Sequence, residues 1–235
     1  MGSEMCIRDR PRVGTRKLQS MLATSGHRVG RDGLFTMLRR QGMLVKPKKN
    51  YKRTTYSGHN YAVAPNRLKS LEPQAPYEVV VSDITYLRLQ RGFCYLFLVT
   101  DLFSRKVLGA HVSRDLSHHA ALVALNKAYT VSEGQLAGAL HHSDRGCQYC
   151  CHEYLKALGE YGMIPSMTDE NHCYQNAVAE RVNGILKGEF DLDGRFRSIY
   201  HAKQAVAAAV KTYNEERVHW SLGLQTPEQV IRLVA

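Results

Sequence analysis

The chain has 235 residues, 44% of them hydrophobic, enough for one or two domains with a sizeable core. No apolar run approaches the roughly 20 residues of a membrane span and no secretory leader is evident, so a cytoplasmic protein is expected. The net charge of +11 is concentrated: residues 1–60 carry 14 Lys and Arg against 3 Asp and Glu, whereas residues 61–235 carry 18 of each. A basic module beside a neutral body points to a nucleic-acid grip attached to a separate working domain; the plainer reading is a solvated cationic surface.

From the start, Gly2 to Arg10 reads as the translation of a transposon-derived sequencing adapter. Residues 1–10 are therefore expected to be foreign and are set aside from the fold. Residues 14–41 are predicted as two helices with a break at Gly26. Leu18, Met21 and Leu22 stripe the first; Asp32 caps a second that carries Leu34, Phe35, Met37 and Leu38 and stops near Gly42. Arg39 and Arg40 close that helix, and Lys46, Lys48, Lys49, Lys52 and Arg53 follow. Two short helices in basic surroundings resemble a helix-turn-helix, with a packing-only helical hairpin as the competing reading. Residues 11–50 are assigned to this DNA-binding domain and 51–72 to a basic linker able to follow phosphates.

A different period begins near residue 77. Val79–Leu89 and Phe93–Thr100 flank Gln90-Arg91-Gly92 as a hairpin, and Lys106–Val112 is a third strand. Then come a helix over 117–130, a strand at 138–142, a helix over 150–160, a short strand near Ile164, and helices at 174–189 and about 200–216. Three hairpin-linked strands followed by alternating helices and strands predict an α/β fold, a mixed sheet covered by helices, over 73–235.

Within this region three acids stand out. Asp83 ends the apolar run Val79-Val80-Val81-Ser82, Asp144 follows Leu140-His141-His142-Ser143, and Glu180 lies in a helical segment with 35 residues between it and Asp144. Two strand-end aspartates and a helical glutamate can converge on divalent cations, and such cations drive phosphodiester chemistry. Each acid alone has a duller role, in a strand end, a turn or an ion pair. Six cysteines form no disulfide framework; Cys147-x-x-Cys150, among several histidines, lacks the second pair a zinc site needs, so small packing side chains are the better reading. His141 and His142 are expected to pack within their strand, and Arg217 and His219 to tie the final helix to the core.

Ser82-Asp83-Ile84-Thr85-Tyr86, Asp101-Leu102-Phe103-Ser104-Arg105 and His142-Ser143-Asp144-Arg145-Gly146-Cys147-Gln148-Tyr149 resemble the integrase core of bacterial insertion-sequence transposases. So do Asn176-Ala177-Val178-Ala179-Glu180, Leu186-Lys187-Gly188-Glu189, Tyr213–His219 and Leu222–Pro227, all in order. The resemblance is to the type whose second reading frame, OrfB, carries the acidic triad. It implies a ribonuclease-H-like catalytic fold behind a helix-turn-helix, and DNA cleavage and strand transfer as the activity. Asp83, Asp144 and Glu180 would be the triad, holding two Mg²⁺ or Mn²⁺ ions, with Asp83 bridging both. Lys187, seven positions after Glu180 and so on the same helix face, would bind the element's end.

The same resemblance implies a homo-oligomer assembled on paired DNA ends, a target DNA, and a partner segment from an upstream reading frame. Two positions depart from the family: Val80 stands where it usually has Trp, and Gln175-Asn176 where it usually has Asp-Asn. An inert DNA-binding remnant and a nuclease for RNA–DNA hybrids are the alternatives. Without metal the three carboxylates repel one another, so local destabilisation of the site is expected.

Overall fold

The computed structural model describes residues 13–45, 61, 63–69, 71–169 and 176–234. Residues 1–10 and the basic run from Lys46 to Arg53 lie outside them.

Two helices open the described chain, α1 (Thr15–Thr24) and α2 (Arg31–Arg40). Leu18, Leu34 and Leu38 are buried between them, with Val13, Leu22, Val29 and Leu44 packed around. Gly26 takes φ +85° at the break, a conformation that favours glycine. Asp32 does not cap α2: Gly30 holds that position without a side-chain bond, and Asp32 sits one residue into the first turn, paired with Arg31 at 2.8 Å. A carboxylate there is still favoured by the helix dipole.

The body is a mixed sheet between helices. Its strands are β1 (Val79–Leu89), β2 (Phe93–Asp101), β3 (Val107–Ser113), β4 (Leu140–Ser143), β5 (Ile164–Met167) and β6 (Arg195–Phe196), in the order β3-β2-β1-β4-β5. β1 to β3 are antiparallel neighbours, and β4 and β5 continue in parallel. β6, which the sequence reading missed, pairs in parallel with the far end of β1, as two residues carry too little pattern to detect.

The helices are α3 (His118–Val131), α4 (Cys147–Cys150), α5 (His152–Glu160), α6 (Ala177–Glu189), α7 (Ile199–Glu215) and α8 (Pro227–Val234). The helix at α7 is therefore not the final one; α8 follows a 3₁₀ turn at Trp220–Leu222 and buries Val230 and Ile231.

Alternation along the strands builds two cores. Val80, Phe97 and Val99 face α3 and α5, while Leu87, Leu96 and Leu98 face α6 and α7. On the first side α3 presents Ala120, Ala121, Ala124 and Ala128, small residues that let it lie close to the sheet. The approach is closest at Gly109 of β3, where a Cβ would overlap the Ala124 carbonyl oxygen.

The Asp101–Arg105 motif is a structural turn. Asp101 is fully buried and accepts from Tyr77 N (2.8 Å), Ser104 N (2.7 Å) and Ser104 Oγ (2.6 Å). Tyr213 donates to the Arg105 carbonyl at 3.0 Å, and Asn214 takes both backbone groups of Val107 at 2.9 Å each. Two segments far apart in sequence thus hold one corner of the sheet.

Candidate functional site

Asp83 lies in the middle of β1, not at a strand end. What ends there is its parallel partner: β4 pairs with Val79, Val80 and Val81 only, and β6 resumes at Arg88. Between them the edge of β1 is free of a strand, and α6 crosses it. Asn176 donates to the Ser82 carbonyl at 2.9 Å, and Asn183 donates to Asp83 Oδ2 at 2.6 Å. Asp83 Oδ1 accepts from Ile84 N at 2.9 Å. β4 meanwhile runs out at Ser143, and Asp144, the next residue, folds its Oδ1 back onto Gly146 N at 3.0 Å. The two aspartates thus stand where neighbouring parallel strands separate, the place where open α/β sheets form clefts.

The floor is buried and neutral. His141 Nε2 lies 2.8 Å from Ser82 Oγ and 3.0 Å from Tyr154 Oη, and burial lowers its pKa to about 3. His142 contacts Ser166 Oγ at 2.9 Å and is lowered to about 4, again by burial. Both histidines pack within the sheet. Tyr149 and Tyr154 meet edge to face beneath.

Over that floor the acids are strained electrostatically. Burial, and then the charge of Asp144, push Asp83 up to about 7 despite its bonds to Asn183 and Ile84; Glu180 adds a smaller push. Glu180, exposed on α6, is raised by burial and by Asp144. Lys187 is lowered to about 8 by burial, with Asp83 opposing and Arg88 adding to the shift. Its Nζ sits 4.3 Å from the Tyr86 ring centroid.

Asp83, Asp144 and Glu180 therefore feel one another, with Lys187 beside Asp83. They do not close into a cage: among the described residues no group of three or more His, Cys, Asp or Glu is arranged to hold a metal ion. The donor chemistry nevertheless fits a hard cation. Two oxygen-only side chains repel each other, and the amide oxygen of Asn183 beside them is buried and unpaired.

Cys147 and Cys150 do not form a zinc site among the described residues. Cys150 packs 3.5 Å from Met167 Sδ, and burial pushes its thiol up to about 12. Arg39 and Arg40 end α2 on exposed positions, on a helix whose buried residues form a separate core from those around these acids. Lys46, Lys48, Lys49, Lys52 and Arg53 fall outside the described residues.

Asn183 and Tyr86 were missed by the sequence reading. Asn183 shares a face with Glu180 and Lys187, three residues after one and four before the other, and that spacing is the signal that would have found it.

The integrase core domain family matches residues 73–173 and, through a second family of the same description, 161–227. The chain is 36% identical over 227 residues to the insertion element IS600 uncharacterized 31 kDa protein of Shigella sonnei, covering 94% of this chain and 82% of that one. It is 31% identical to transposase InsF for insertion sequence IS3A of Escherichia coli (94% and 77%). It is 29% identical to the putative transposase for insertion sequence element IS986/IS6110 of Mycobacterium tuberculosis (92% and 80%).

Among solved structures, the catalytic core domain of HTLV-2 integrase in complex with magnesium superposes with TM-score 0.53 at 18% identity, over 68% of this chain and 99% of that one. A simian T-cell lymphotropic virus intasome chain gives 0.57 at 18%, over 91% and 70%. These likenesses establish the ribonuclease-H-like integrase fold. With the sequence relatives, they place this chain in the family of insertion-sequence transposases of the OrfB type: a DNA transposase, and a polynucleotidyl transferase of the DDE type.

Proposed function

We propose that Asp83, Asp144 and Glu180 are the catalytic carboxylates of this transposase, and that they hold Mg²⁺ or Mn²⁺. The observation that carries this is the pairing of Asp83 with Asp144 where β1 and β4 part, with Asp83 raised to about 7 by burial and by its neighbour's charge. When bound, a pair of such cations activates the attacking hydroxyl and neutralises the leaving oxygen. Asn183 fixes the Asp83 carboxylate, and Asn176 pins the start of α6 to β1. Glu180 completes the set from α6, and Lys187 offers an ammonium to a DNA phosphate next to Asp83.

On this reading α1 and α2 form a helix-turn-helix that grips the element's end, with Arg39 and Arg40 on phosphates and Lys46, Lys48, Lys49, Lys52 and Arg53 continuing along the backbone. The division into a DNA-binding module over 11–50, a linker over 51–72 and a catalytic body over 73–235, with 1–10 foreign, belongs to the same proposal. So do assembly of several copies on paired ends, an upstream-frame partner segment, and a cytoplasmic site of action on nucleoid DNA.

The test is a strand-transfer assay with labelled element ends and Mn²⁺. Joined product that disappears on changing any one of the three acids to its amide supports the reading. Unimpaired joining by Asp144→Asn overturns it.

A further inference from the structure

Beyond Ile84 and Tyr95, which still pack against the α3 side of the core, the residues on that face of the sheet belong to neither core among the described residues. The residues that alternate onto it are Tyr86 and Arg88 of β1, with Phe93 of β2 directly opposite Arg88 and Arg195 of β6 beside it. The other face at the same level is apolar: Leu87, Leu89 and Cys94 are buried in the second core and Phe196 packs against it. The outward face is therefore built differently. Phe93 is 57% exposed, and Arg88 and Arg195 are exposed.

Tyr86 and Phe93 meet edge to face at 5.5 Å, which leaves the Phe93 ring fixed but open to solvent. Lys187 covers Tyr86 and links the strip to the carboxylates. Neither arginine has a carboxylate in ion-pair range among the described residues.

We infer that this strip, Tyr86, Phe93, Arg88 and Arg195, is a binding platform for single-stranded DNA leading away from the acidic site. The inference rests on the proposed location of that site and names what lies next to it. Aromatic rings interleaved with exposed arginines match a strand whose bases are free to stack and whose phosphates need neutralising. In a duplex the base faces are already stacked on one another, so a ring lying on a sheet face finds none to stack on. A protein partner of acidic character would use the arginines and leave the ring unexplained.

The test measures binding of the full chain to a labelled oligothymidylate of about twelve nucleotides, and to a duplex of equal length, in EDTA. Phe93→Ala is expected to weaken the single strand about tenfold and to leave the duplex within about twofold. Arg88→Ala with Arg195→Ala should weaken both and reduce the single-strand salt slope by about 1.4. Phe93→Trp should keep the affinity and show tryptophan quenching on addition of the oligonucleotide.

Unchanged single-strand binding in Phe93→Ala, equal loss on duplex, or weak binding by Phe93→Trp each overturns the platform. Circular dichroism of each variant separates loss of binding from loss of fold. Because binding is read without metal, failure of the carboxylate assignment leaves this result standing, and failure here leaves strand transfer by the triad intact.

Discussion

Asn183 shows how a single side chain decides what an acid can do. Its amide donates to Asp83 Oδ2 at 2.6 Å, and that bond lowers the pKa which burial and Asp144 raise. Asn183→Ala is expected to leave Asp83 more readily protonated, shifting the acid limb of the joining rate toward higher pH. Rates with Mg²⁺ across pH 6 to 9 would show it; an unshifted limb would mean that Asn183 only packs.

Asp144→Asn separates stability from function. It removes the repulsion on Asp83 and Glu180 while its remaining side-chain oxygen can still accept from Gly146 N. The metal-free variant should melt at or above the parent temperature, while joining falls by about a hundredfold or more, as the loss of several kcal/mol of charge stabilisation requires. Calorimetry in EDTA beside the joining assay reads both, and a destabilised variant would show that the repulsion is not felt.

At the scale of elements, close approach decides how α3 seats on the sheet. Gly109 lets α3 sit on β3, and a methyl group there drives into backbone, which cannot step aside. Gly109→Ala should cost about 1–3 kcal/mol, the usual cost of overpacking, and urea unfolding would measure it. A neutral result would show that α3 can slide.

The strands and main helices were legible because Val79–Leu89 and Phe93–Asp101 are runs rich in β-branched, aromatic and aliphatic residues, and because the alanine-rich segment of α3 favours a helix. Asp83 was misplaced at a strand end, since the end that matters belongs to β4 and a pairing limit leaves no mark on β1's own sequence. The acids themselves were legible as types in context. The role of Asp101 was not, because its three donors come from Tyr77 and Ser104 and only the folded turn brings them together.

At the scale of the molecule, one ion cluster ties three regions. Glu189 at the end of α6 receives Arg217 through two bonds of 2.7 Å, and Lys17 of α1 at 3.4 Å. His219 lies 3.0 Å from the same arginine, and Arg16 sits over Trp220 at 5.9 Å. The helix that carries Glu180 and Lys187 is thereby fastened to both the amino-terminal helices and the tail.

Burial alone would raise the Glu189 pKa; the Arg217 bonds and charge, with Lys17, outweigh it and hold it below the usual 4.5. A carboxylate depressed in the folded state contributes its stability fully above its unfolded pKa, and that contribution is lost as pH falls below 4.5 through the folded value. Arg217→Ala removes both 2.7 Å bonds from the Glu189 carboxylate, whose side chain is 15% exposed, and leaves it only Lys17 at 3.4 Å among the described residues, so a cost of about 3 kcal/mol at pH 7 is expected.

Glu189→Gln should instead flatten the fall in stability between about pH 5 and pH 3. Urea unfolding at several pH values, followed by the fluorescence of Trp220, the chain's single tryptophan, reads both effects. If Glu189→Gln retains the parent's full acid sensitivity, the cluster is not what couples the site helix to the two ends of the described chain.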